Sequence, residues 1–143
     1  MPILLKATKA LTDRMPKVIS PGAHAAIDYA TAGAFLLGSF LFWKRHRAAA
    51  ISAMLCGFSE VLVAAVTDYP GGMVPQISFE THGRLDVGLS LFTATLPEFM
   101  NFDDTSQARF FGMQALGMAA VAGLTDFTGT GERKQLKKIE KVA

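Results

Sequence analysis

The chain has 143 residues, half of them hydrophobic and 18% charged, with a formal net charge of +2 and one cysteine. That length fits one domain, and the charge fraction is low for a soluble protein of this size. A single cysteine, Cys56, excludes an intrachain disulfide. Mean hydropathy is only +0.30, because polar ends dilute an apolar middle.

From the start, Leu4, Ala7, Leu11, Met15 and Val18 recur at helical spacing, with Lys6, Lys9, Asp13 and Lys17 on other faces. This predicts an interfacial amphipathic helix over residues 1–20, broken by Pro16 and Pro21. Met1-Pro-Ile-Leu-Leu-Lys6 lacks the long apolar stretch of a signal peptide, so none is expected.

Four membrane helices follow, roughly Ala23 to Trp43, Ala48 to Val66, Gly83 to Met100 and Ser106 to Leu124. Ionisable groups are sparse inside them: Asp28 and Tyr29 from Ala25 to Trp43, Glu60 as the one charged residue from Ala48 to Val66, and no charge from Phe110 to Leu124. Each stretch is about long enough to cross a hydrocarbon core. Gly33, Gly38, Gly57, Gly88, Gly112, Gly117 and Gly123 are expected to mark helix–helix seams, where small residues permit close approach. Aromatic residues at Phe40, Phe42, Trp43, Phe99 and Phe102 suit interfacial anchoring, and Pro97 is expected to kink or end the third helix.

Lys44-Arg-His-Arg47 and Asn101 to Thr105 are short enough to force two antiparallel hairpins. Between them Tyr69-Pro-Gly-Gly72 reads as a turn, and Pro75 to Phe79 as an irregular surface segment. The predicted organisation is a first two-helix unit at 21–72, a loop and second unit at 73–131, and a basic tail at 132–143. The fold class is an all-α integral membrane four-helix bundle made of two tandem hairpins. Four spans put both ends and the middle loop on one side. Ten Lys and Arg residues fall there against four opposite, predicting cytoplasmic termini in the inner membrane.

Two motifs occur twice in the same register. His24-Ala-Ala-Ile-Asp28 and His82-Gly-Arg-Leu-Asp86 are offset by 58 residues (82 − 24), as are Thr67-Asp68 and Thr125-Asp126 (125 − 67). This points to an internal repeat. His and Asp at i and i+4 share one face of a helix. Hairpin geometry then gathers His24, Asp28, Thr67, Asp68, His82, Asp86, Thr125 and Asp126 at one membrane face. The first expectation is structural: each hairpin carries a polar clamp from the start of one helix to the end of the next. The alternatives are a metal or proton site using Zn, Mn or Fe, and a bis-His haem between His24 and His82. Glu60 has Met118 at its repeat position; its carboxyl should be protonated or face the bundle interior, as a neutral hydrogen-bonded group or, alternatively, in a coupling or gating role.

Ser20-Pro-Gly-Ala-His24-Ala-Ala-Ile-Asp28-Tyr29, Thr67-Asp-Tyr-Pro-Gly-Gly72 and His82-Gly-Arg-Leu-Asp86 together resemble small bacterial four-helix membrane proteins. These are similar to the SPW-repeat class, although Gly22 stands where the SPW triplet has Trp. The resemblance implies an inner-membrane four-helix fold and no particular reaction. No nucleophile elbow, phosphate loop, dinucleotide fingerprint or CxxC is present, so no enzymatic activity and no cofactor are expected. The expected function is structural or accessory, within a larger membrane assembly. The alternative is a small transporter or a metal- or proton-handling protein. The expected partners are the lipid bilayer and a membrane protein or second copy, not nucleic acid.

Overall fold

The computed structural model describes residues 14–128. The amphipathic helix predicted at 1–20 falls mostly outside these residues, and the basic tail at 132–143 falls wholly outside them.

Four helices dominate: α1 (Pro21–Phe42), α2 (Arg47–Ala65), α3 (Phe79–Phe99) and α4 (Ser106–Leu124). Each begins at a side-chain cap. Ser20, His46, Ser78 and Thr105 accept from the backbone N–H three residues on, satisfying one of the free donors of the first turn. Pro21 occupies the first helical position, where its missing N–H costs nothing. The α3 helix starts four residues before the predicted position, because Ser78 caps it. Phe79 is therefore helical rather than part of an irregular segment. Pro97 stays inside α3. That helix ends two residues later in a Schellman motif: Phe102 N–H donates to Pro97 O and Asn101 N–H to Glu98 O. Asn101 takes the left-handed conformation (φ 54°) that the motif requires.

The hairpins α1–α2 and α3–α4 form the closest helix pairs. They are joined at one end by backbone hydrogen bonds that recur at the 58-residue offset. Gln76 and Ile77 N–H both donate to Val66 O; Val18 and Ile19 N–H both donate to Leu124 O. The first set belongs to a two-residue parallel pairing of β1 (Thr67–Asp68) with β2 (Ile77–Ser78), and the second to an Ile19–Thr125 bridge. Each links the segment entering one hairpin to the segment leaving the other.

The interior is built mainly from small side chains. Ala32, Ala49, Ala50, Ala53, Ala64 and Ser52 are buried around Phe35, Phe102 and Phe111, while Leu37, Phe40, Leu41, Phe58, Leu62, Leu91, Met113 and Leu116 are exposed. Two of the helices, α1 and α2, are long and apolar enough to cross a membrane. The glycines divide. Gly38 and Gly57 sit at close contacts with a neighbouring helix, as expected of seams, whereas Gly123 packs against Met15 in the segment before α1 and not against a helix. At Gly33, Gly88, Gly112 and Gly117 an added Cβ would meet nothing within 4 Å, so these four face outward. Their expected seam role is incorrect: residue type alone does not tell which side of a helix is covered.

Candidate metal centre

Six of the eight repeated polar residues meet at one end of the bundle. His24 and Asp28 come from the first two turns of α1, and His82 and Asp86 from the first two turns of α3. Thr67 and Thr125 follow the last turns of α2 and α4. All six are buried, with His24 at 1% and His82 at 0% exposure. Asp68 is exposed on β1, and Asp126 turns away to accept from the N–H and hydroxyl of Thr128.

The pairing crosses between hairpins. His24 Nδ1 lies 2.8 Å from Thr125 Oγ1, and His82 Nδ1 lies 2.8 Å from Thr67 Oγ1. A clamp within each hairpin, from His24 to Thr67 and from His82 to Thr125, does not form. Each helix start instead grips the helix end of the other hairpin, consistent with the crossed backbone bonds beside it.

These threonines set the histidine tautomers. Thr67 Oγ1 donates to Val63 O at 2.6 Å, and Thr125 Oγ1 to Val121 O at 2.7 Å. A hydroxyl has one proton, and a carbonyl can only accept. Toward histidine each threonine therefore accepts, and both Nδ1 atoms carry hydrogen. In a neutral imidazole this leaves the Nε2 lone pair facing inward.

The two Nε2 atoms are 3.1 Å apart. His24 Nε2 lies 3.3 Å from Asp28 Oδ1 and 3.0 Å from Asp86 Oδ2. His82 Nε2 lies 3.2 Å from Asp28 Oδ2 and 3.2 Å from Asp86 Oδ1. One ligand atom from each residue can be chosen so that all four lie within 4.8 Å of one another. With both imidazoles neutral, four electron-pair donors converge here; with a proton on Nε2 the same contacts are His–Asp hydrogen bonds, as between His24 Nε2 and Asp86 Oδ2. Asp86 Oδ1 receives no hydrogen bond despite its contact with His82. Nitrogens 3.1 Å apart leave no room for a porphyrin plane between them, which removes the bis-His haem expectation.

Three aromatic rings cover the histidines. Tyr69 stands 5.2 Å from His82 and Phe127 5.2 Å from His24, and Phe79 lies near both at 5.8 and 5.4 Å (ring centroids). Tyr69 and Phe127 share the 58-residue offset, but only Tyr69 has a hydroxyl, which donates to Asp28 Oδ2 at 2.8 Å. Burial and the adjacent Asp28 carboxylate push the Tyr69 hydroxyl pKa up, keeping it a donor. Tyr69 and Phe127 belong to the repeated Thr-Asp-aromatic motif, but sequence spacing placed neither in the polar cluster, and nothing in that spacing tells the hydroxyl's role at Asp28. Glu60, 3% exposed on α2, lines a small cavity together with His24, Asp28 and Asp86, and its Oε1 has no hydrogen-bond partner among the described residues.

No family model, curated protein or solved structure matches the chain.

Proposed function

We propose that this chain is an integral membrane four-helix bundle that holds one divalent first-row transition metal ion through His24, Asp28, His82 and Asp86. The observation that carries this reading is the convergence of both Nε2 lone pairs and two carboxylates. Adjacent ligands on a shell of ~2.0–2.1 Å stand ~2.8–3.4 Å apart for angles between square and tetrahedral. The N–N and N–O separations of 3.0–3.3 Å fall in that range, while the four donors as a set span up to 4.8 Å, so the two carboxylates must draw inward to close the shell on the ion. Nitrogen and oxygen donors together suit Zn, Fe(II) or Mn. Charge agrees: two carboxylates and two neutral imidazoles balance one divalent cation, so the buried centre carries no net charge. The threonines act as outer partners that hold each ligating histidine in the correct tautomer.

The membrane reading is supported by the distribution of side-chain size. Large apolar residues line the outside while small ones fill the interior, as expected where lipid rather than water surrounds the helices. We read all four helices as spans of a bacterial inner membrane, with both termini cytoplasmic and the two hairpins related by internal duplication. The SPW-like motifs fit this reading. The metal accounts for the alternative expected from sequence, a metal-handling membrane protein, and subsumes the clamp, because the ion ties one hairpin to the other.

The test is metal analysis of the full chain purified in detergent without chelator, with reconstitution by Zn, Fe(II) or Mn. The expected result is one equivalent per chain, lost in His82→Ala and in Asp86→Asn. A metal-free protein whose stability is unchanged by any of the three ions rejects the reading and leaves the cluster as a proton-bridged clamp.

A further inference from the structure

We propose that the metal keeps one coordination position for a single solvent molecule, lodged between Asp86 and Glu60, with Glu60 as its hydrogen-bonding partner. This rests on the metal reading above and extends it from a closed structural site to one with an exchangeable ligand. The cavity bordering His24, Asp28 and Asp86 has a volume of about 10 Å³. A space of that size takes one water and excludes larger species. A buried water also needs two to four polar partners. Buried side-chain oxygens without a hydrogen bond among the described residues are Ser52 Oγ, Glu60 Oε1 and Asp86 Oδ1; Asp86 Oδ1 lies 3.2 Å from His82 Nε2 within the ligand set, so Glu60 Oε1 is the orphan on a residue lining this cavity.

The remaining wall is poor in hydrogen-bonding groups. Ile27, Val121 and Met118 contribute mostly apolar surface, and Thr31 is the other polar residue. A buried carboxylate oxygen left without a partner is destabilising, so an isolated Glu60 would be a costly residue to keep there. A metal-bound solvent supplies the missing donor. The arrangement is one-sided within the repeat: Met118 occupies the position equivalent to Glu60, 58 residues on. The centre therefore has one polar flank, and solvent binds on that flank only.

The experiment uses full-length protein loaded with Co(II) in detergent, read by visible d–d absorption and by pulsed EPR in deuterated water. The wild type should show the weak d–d bands of five-coordinate cobalt and deuterium modulation from bound solvent. Glu60→Leu fills the cavity and should raise the band intensity several-fold, abolish the modulation and retain one equivalent of cobalt. Glu60→Gln preserves a polar partner and should keep the wild-type spectrum, which guards against a Leu variant that misfolds. Stoichiometric cobalt in the wild type without solvent modulation, or modulation unchanged in Glu60→Leu, overturns the inference while leaving the metal site standing. Failure of the wild type to bind cobalt removes the metal reading and this inference with it.

Discussion

At the scale of single residues, the two threonines are the least replaceable polar groups that do not themselves touch the proposed ion. Each uses its hydroxyl twice, donating to a carbonyl one turn back and accepting from a histidine Nδ1. Valine has nearly the same shape and can do neither. Thr67→Val should therefore leave His82 free to turn or change tautomer and weaken metal binding about 10–100-fold, the usual effect of removing such an outer partner. Thr67→Ser should retain most of the affinity. Competition against a chelator of known affinity measures both; an unchanged affinity in the valine variant would mean that the tautomer is fixed by something else. Tyr69 offers a milder contrast. Its counterpart Phe127 packs against His24 without a hydroxyl, so the ring alone suffices for packing. Tyr69→Phe should keep the fold and lower the metal affinity by less than either threonine-to-valine change, measured by the same competition.

At the scale of helices, the close approach of α1 and α2 depends on Gly57. A Cβ there would stand 2.8 Å from Leu36 Cγ and 3.2 Å from the Ala32 carbonyl oxygen. Leu36 can move, but the backbone oxygen moves only with its helix. Gly57→Val should cost about 1–3 kcal/mol, the range for overpacking a close-packed seam, read as a lower denaturation midpoint in detergent. Gly88→Ala makes the opposite case: its Cβ meets nothing, and the variant should unfold no earlier than wild type. This pair also shows what was legible in the sequence. The presence of four helices was readable from apolar stretches set between short charged or Gly/Pro-rich connections, and three of the four starts fall within two residues of expectation. The start of α3 was not, because Glu80, His82 and Arg84 interrupt its apolar pattern and the Ser78 cap is a single residue. Glycine identity carried no information about facing, since Gly57 and Gly88 look alike until the helices are packed. The meeting of His24, Asp28, His82 and Asp86 followed from motif spacing and hairpin geometry. The crossed partners did not, because hairpin adjacency brings His24 as near to Thr67 as to Thr125. Only the docking of one hairpin on the other decides between them.

For the whole molecule, the centre and the crossed backbone bonds lie at the same end, so that end carries much of the connection between hairpins. Each hairpin supplies one His and one Asp. A ligand that binds only the folded state stabilises it by about 2.7 kcal/mol at a hundredfold excess over its Kd. Chelation should therefore lower the unfolding midpoint of wild type and leave that of His82→Ala unmoved. The opposite end makes a separate claim about the surroundings. Trp43, the only tryptophan, follows α1 with Arg47 stacked 4.7 Å from its ring centroid, next to Phe40 at 79% exposure. An indole so placed belongs at the boundary between headgroups and acyl chains, where its apolar face and its N–H both find partners. Leu37 and Phe40 continue the exposed apolar face along α1, and Leu55 and Phe58 continue that of α2. In vesicles, bromine carried high on the acyl chain should therefore quench Trp43 fluorescence more strongly than bromine near the chain terminus, and soluble iodide should quench it weakly. Strong quenching by iodide with none by either brominated lipid would place Trp43 in water and reject the transmembrane arrangement. Equal quenching at both depths would mean that Trp43 sits within the acyl region and not at the headgroup boundary.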